Sequence, residues 1–158
     1  MNDEALDFAL AAWREEGRWS VSSMPPRVAE GLDTLVKALR QLPGEGGSLG
    51  FVSVADEFLL VIRVAGESVR LVLSDLNAAY DWPLAEQAAD LLGIELPDDE
   101  DELDEPEPAG DVTLLADLGM DAAELDVLCS DPELFPDEQL ASIASRLGFA
   151  TEVERALA

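Results

Sequence analysis

LGFVSVADEFLLVIRVAGESVRLVLS, residues 49–74, alternates apolar and small or polar residues with a period of two and breaks only at Asp56-Glu57 and Gly66-Glu67. That pattern predicts three antiparallel strands in a meander. With Gly66-Glu67 as a two-residue type II′ turn, glycine at its first central position, the register follows: Ala65 opposite Ser68, Arg63 opposite Arg70, Val61 opposite Val72. One face then collects Phe51, Phe58, Leu60, Ile62, Val64, Val69, Leu71 and Leu73 as a core. The other carries Val52, Val54, Leu59, Val61 and Val72 together with Arg63 and Arg70. A sheet with one solvated face should alternate cleanly, so this half-apolar second face calls for cover, from the C-terminal part of the chain or from a second copy. Two arginines facing each other across a strand pair invite an anion between them, unless they extend into water or pair with nearby acids.

Upstream, FALAAWREEGRWSVSS (residues 8–23) reads as a hairpin around Glu-Glu-Gly, with a helix over residues 3–16 as the competing reading because alanines at 9, 11 and 12 weaken strand propensity. From Arg27 to Leu42 the apolar residues recur at spacings of three and four, between Pro25-Pro26 and Pro43-Gly44, which predicts one amphipathic helix. Downstream, Asp75 and Asn77 are capping residues for a helical segment that restarts at Trp82-Pro83 and runs to Leu92. The first 94 residues are therefore expected to form an α+β domain, a two-layer antiparallel sheet with two helices in the order ββαβββα.

ELPDDEDELDEPE, residues 95–107, puts nine carboxylates into thirteen positions and marks an acidic linker over 95–109. An EF-hand loop requires a glycine at its sixth position and flanking helices, which DDEDELDEPEPA lacks, so no metal is expected there. Residues 110–158 carry closely punctuated helix signals: Asp111 before VTLLADL, an Asp121-x-x-Glu124 start, Pro136 opening PDEQLASIASRL, and Thr151 with Glu154. Leu114, Leu118, Leu125, Leu128, Leu140, Ile143 and Leu147 would form the core of a small all-α unit, too marginal to stand alone and expected to dock.

Charge bounds the function. Residues 1–74 hold 11 acids and 7 bases, net −4, whereas residues 75–158 hold 24 acids and 2 bases, net −22. Such a polyanion repels phosphate backbones and anionic lipids, excluding direct nucleic-acid or membrane binding and favouring a basic protein partner. The helix-turn-helix cadence of LADLGMDAAELDVLC fails for the same reason: its would-be recognition helix offers Asp121, Glu124, Asp126 and Asp131 and no cation. There is no histidine and one cysteine, Cys129, so Cys/His zinc sites, disulfides and His-dependent triads are excluded. Cys129 among leucines and acids is expected in a core, as are Trp13, Trp19 and Trp82. MNDEALDFAL has no signal-peptide pattern and no window reaches 18 apolar residues, so a cytoplasmic protein is expected.

At RLVLSDLNAA (70–79) and more specifically at GDVTLLADLGMDAAELDVLCSDPELFPDEQLASIASRLGF (110–149) the sequence resembles the tRNA adenosine deaminase-associated proteins of actinobacteria. The family takes its name from the neighbourhood of a deaminase gene and brings no catalytic residues. The chain lacks the H-x-E and P-C-x-x-C elements of a zinc deaminase, so what the resemblance implies is an accessory role, with an acidic unit that engages the basic surface of a tRNA deaminase. The expectation is a non-enzymatic interaction protein without cofactor. Its candidate interaction residues are Arg63, Arg70, Val61 and Val72 on the second sheet face and Asp98, Asp99, Glu100, Asp101 and Glu102 in the acidic run. The alternatives are a homodimer formed through the second face, with the acids serving solubility, and an enzyme that uses carboxylates.

Overall fold

The computed structural model describes residues 6–42, 44, 46–96, 107–131 and 133–157. Strands β1 (Leu6–Glu15) and β2 (Arg18–Ser23) form the expected hairpin, and the helical alternative for residues 3–16 is overturned over its described part. Positive φ at both turn residues, Glu16 and Gly17, gives the type I′ sense of twist that two-residue hairpins favour. Strands β3 (Ser48–Val54), β4 (Phe58–Ala65) and β5 (Ser68–Leu73) make the meander, with the expected β4–β5 register. At its turn Gly66 has φ 60 while Glu67 does not take positive φ, as a type II′ turn requires. Among the described residues the sheet has six strands in the order β2-β1-β3-β4-β5-β6, all pairs antiparallel. The fold is α+β.

The segment from Arg27 to Leu42 is not one helix. A 3-10 turn over Pro26–Glu30 ends at Gly31, whose backbone is extended, and α1 (Leu32–Arg40) begins afresh. The break is stabilised from outside the segment: the Gln87 side chain on α2 (Pro83–Leu91) accepts a hydrogen bond from the Leu32 backbone N–H at 2.7 Å. A first-turn donor of α1 thus finds its acceptor 55 positions along the chain.

Strand parity also departs from the reading of residues 49–74. Phe51 was expected with Phe58 on one face and Val52 and Val54 on the other, but Val52 and Val54 pack with Phe58, Leu60 and Ile62, and Phe51 lies with Leu59 and Val61. The β3–β4 connection has three residues, Ala55 to Glu57, with Val54 paired to Phe58, and the odd length shifts β3 by one position. Ala55 and Asp56 both adopt positive φ, an unfavourable conformation for residues with a Cβ. The Asp7 carboxylate offsets this by accepting from the Asp56 N–H at 2.7 Å and the Ser53 hydroxyl at 2.8 Å.

Both sheet faces are covered. α1, α2 and the 3-10 segments Pro26–Glu30 and Leu76–Tyr80 pack on the face of Ala9, Val52, Leu60, Ile62 and Leu71. The opposite face, with Phe8, Leu10, Leu49, Phe51, Leu59, Val61 and Val72, is covered by Leu114, Leu115 and the helices α3 (Ala122–Ser130), α4 (Pro136–Leu147) and α5 (Ala150–Leu157). The apolar residues of 110–157 therefore share a core with the sheet and do not close on themselves. The sheet is the middle of three layers.

The chain reaches the second face through β6 (Ala109–Gly110), which the sequence reading did not anticipate. Glu107 is tied down by the Leu76 N–H donating to its carbonyl at 2.8 Å, and Gly110 pairs with Val72. Gly110 has φ 128, and a Cβ there would lie 2.2 Å from the Leu71 carbonyl oxygen, so only glycine fits. Gly110→Ala should lower stability by about 1–3 kcal/mol. In a thermal melt that is a fall of several degrees, accompanied by faster amide exchange in residues 107–118; an unchanged melt would refute this account of β6.

Candidate functional site

Arg63 projects from the second sheet face into the base of the helical layer, and its side chain is 7% exposed. Its five guanidinium N–H groups all find acceptors: Nε and Nη2 donate to the Gly46 carbonyl at 3.2 and 2.9 Å, Nη1 donates to the Leu114 carbonyl at 2.9 Å and to Asp117 at 2.5 Å, and Nη2 also reaches Asp117 at 3.0 Å. A buried guanidinium is tolerated only when so satisfied, and the two-point contact with the carboxylate fixes orientation as well as charge. Arg63 thereby joins the β2–β3 crossover, the sheet and the first turn of the C-terminal layer.

Arg70, opposite Arg63, is half-exposed and lies 3.7 Å from Asp111, an ion pair too long for a hydrogen bond. The two cations on neighbouring strands are thus compensated by two carboxylates from the same descending segment. The hydrogen bond from Arg63, assisted by its charge, holds the Asp117 carboxyl below the ordinary carboxylate range. Asp111 is held low chiefly by the Thr113 hydroxyl, with Arg70 contributing. Val61 and Val72 are fully buried beneath the helices, so these residues and Arg63 form an internal seam and offer no surface to a partner. Homodimerisation through the second face fails for the same reason: the chain's own helices occupy it. Asp98, Asp99, Glu100, Asp101 and Glu102 lie outside the described residues, and the carboxylates that meet Arg63 and Arg70 come instead from Asp117 and Asp111.

What the C-terminal layer turns outward is acidic. Of the described residues from Glu107 to Leu157, twelve are Asp or Glu and two are Arg, and none of the carboxylates is buried. Helix ends explain part of this density, because carboxylates are favoured at N-termini. Asp121 caps α3 by accepting from the Glu124 N–H at 2.8 Å, and Glu138 accepts from the Phe135 N–H at 3.1 Å at the start of α4. Arg146 is held by Glu124 through two hydrogen bonds, at 2.9 and 3.1 Å. Three large apolar side chains stand among these acids, Val127 at 69%, Phe135 at 59% and Leu157 at 48% exposure. The sequence did carry a signal for the first: Val127 is two positions from the inward Leu125, on the wrong side of α3 for an internal core residue.

Cys129 is buried, and its thiol is pushed up to about 12 by burial and by Asp126, as expected of a core cysteine. Among the described residues no three His, Cys, Asp or Glu side chains are grouped to hold a metal ion, and no helix is long and apolar enough to cross a membrane.

Arg63→Ala should cost about 2–3 kcal/mol, since it leaves the buried Leu114 carbonyl without its side-chain donor and empties the space the guanidinium fills in the seam. Asp117→Asn should cost only about 1 kcal/mol because that side chain is 62% exposed. The folded carboxyls of Asp111 and Asp117 titrate below their unfolded values, so their stabilisation is complete above about pH 4 and is lost as the pH falls through the lower folded values. Urea melts from pH 7 down to about pH 2 should show this acid loss shrinking in Asp117→Asn. A variant that loses stability in parallel with the parent at every pH would contradict it.

The family model described as Rv3753c-like tRNA adenosine deaminase-associated protein matches residues 7–150, from β1 to the first residue of α5. Protein Rv3753c of Mycobacterium tuberculosis (strain ATCC 25618 / H37Rv) is 38% identical over 146 residues, which cover 92% of this chain and 84% of that protein. No solved structure matches the chain. The matched region includes the sheet, the Arg63–Asp117 seam and the helices α3 and α4, so the match extends well beyond the motifs at 70–79 and 110–149. The chain belongs to the Rv3753c-like tRNA adenosine deaminase-associated protein family.

Proposed function

We propose that this chain is a non-catalytic accessory protein whose acidic helical layer docks on a basic protein surface, with a tRNA adenosine deaminase as the partner. The observation that carries the reading is the division of labour within residues 107–157: most of their large apolar side chains are committed to the sheet, while twelve carboxylates remain unburied against two arginines. A tRNA-modifying enzyme must present cations to its substrate, and a surface of this sign is complementary to them. The family name supports an association with that enzyme. The absence of histidine and the single buried cysteine leave the chain without the ligand set of a zinc deaminase, which supports an accessory rather than a catalytic role.

Electrostatic docking has a measurable signature, because exposed charges are screened beyond about 8 Å at physiological ionic strength. Calorimetric titration of the purified deaminase with this chain should give saturable binding at about 50 mM salt that weakens by at least about tenfold at about 300 mM. Addition of tRNA should compete with it. Absence of binding at low salt, or an affinity indifferent to salt, would sink the reading.

A further inference from the structure

Helix α3 is apolar on two sides. Leu125 and Cys129 turn inward to the sheet and are buried, whereas Val127 is 69% exposed and Leu128 only partly covered. An apolar side chain on the outward side of a surface helix, away from its inward stripe, is left without cover by the fold itself. The outward side of α3 and the outer side of α4 border a shallow, open groove of about 570 Å³ lined by Met120, Ala123, Val127, Leu128, Leu134 and Ser142, its exposed lining mainly apolar. Its uncompensated lining acid is Asp131, with Asp121 and Asp126 beside it on the same helix end and outer face. The lining's cation, Arg146, is bonded twice to Glu124, so the pair adds no net positive charge.

We propose that this α3–α4 groove receives an amphipathic helix of the partner, apolar on the face that enters and bordered by Arg and Lys. The inference rests on the accessory-protein reading and specifies how the acidic layer holds what it binds. The groove walls are helical stripes: Ala123 and Val127 are one turn apart on α3, and Ser142 and Arg146 one turn apart on α4. A third helix packs into such a groove as in any bundle, and the small side chains of Ala123 and Ser142 let its backbone approach. The nine residues of α3 span about 13 Å, enough for two to three turns of the incoming helix. Charge selects the occupant. A second copy of this chain would bring the same acidic edge and be repelled, and a nucleic acid would be repelled more strongly, whereas a helix with cations along the edge that meets α3 is attracted by Asp121, Asp126 and Asp131.

The test uses the full chain and two labelled peptides of about 18 residues made from Leu, Lys and Arg, one arranged as an amphipathic helix and one a scramble of identical composition and charge. Fluorescence anisotropy should show the amphipathic peptide binding at least about tenfold tighter than the scramble. Val127→Glu is the discriminating variant, because it adds a negative charge while spoiling the apolar floor. It should weaken the amphipathic peptide by about tenfold, and Phe135→Ser should be tested beside it to show whether the apolar contact extends past the groove. Both side chains are exposed, and unchanged thermal melts will establish that the variants fold. Equal binding of the two peptides, or binding unchanged or strengthened in Val127→Glu, overturns the groove. The deaminase titration separates the two failures. If the deaminase binds the parent chain and Val127→Glu equally well, the groove is overturned and the accessory reading stands; if it binds neither, the accessory reading fails and the peptide pair alone decides the groove.

Discussion

A six-stranded sheet with large apolar side chains on both faces has no stable arrangement in water until both are covered, and the rest of this structure follows from that demand. On the second face alone, seven large side chains from Phe8 to Val72 go from water to a packed interior. At about 1.5–3 kcal/mol each this is a gross driving force of roughly 10–20 kcal/mol, an upper figure because unfolded chains are already partly compact. Polar contacts across the same interface are an order of magnitude smaller. Apolar burial therefore drives the C-terminal helices onto the sheet, and the Arg63 contacts decide where along it they settle.

Arg63 suits that second role because its geometry is exacting. Burying a guanidinium costs several kcal/mol, which its own ion pair barely offsets, so little net stability is expected from it. Removing it is another matter, because the buried Leu114 carbonyl would lose its side-chain donor and the space left by the guanidinium would stay unfilled, whereas the exposed Gly46 and Asp117 can turn to water. Only one placement of the segment from Asp111 to Asp117 satisfies the fork. Gly110 works in the same direction, since its approach to Leu71 and Val72 leaves no room for a side chain that could shift the descending segment.

With the inner side of the helical layer fixed in this way, its outer side is left to solvent and partners. The carboxylates there serve two ends at once. Some stabilise helix N-termini, as Asp121 and Glu138 do, and together they set a negative field that repels nucleic acid and attracts cationic protein surfaces. The apolar exposure of Val127 and Phe135 within that field serves neither end. Val127 is the residue on which the proposed α3–α4 groove rests.

Much of this was legible in the residues. Period-two alternation located β3, β4 and β5, Gly66-Glu67 set the β4–β5 register, and the capping patterns at Asp121 and Pro136 placed α3 and α4, because each depends on interactions within a few positions along the chain. The sequence also indicated that the second face needed cover and raised an anion beside Arg63 and Arg70 as one of two readings. What it could not supply were the choices made over long separations. The parity of β3 turned on one residue of loop length; the break at Gly31 depended on Gln87; and β6 depended on a two-residue pairing too short to leave a pattern. The anion for Arg63 proved to be Asp117, 54 positions away, one carboxylate among 35 that composition could not rank. Local physics determined the elements and the sign of the surface, while tertiary packing alone decided which face each strand showed, which acid closed the seam and which apolar residues stayed outside.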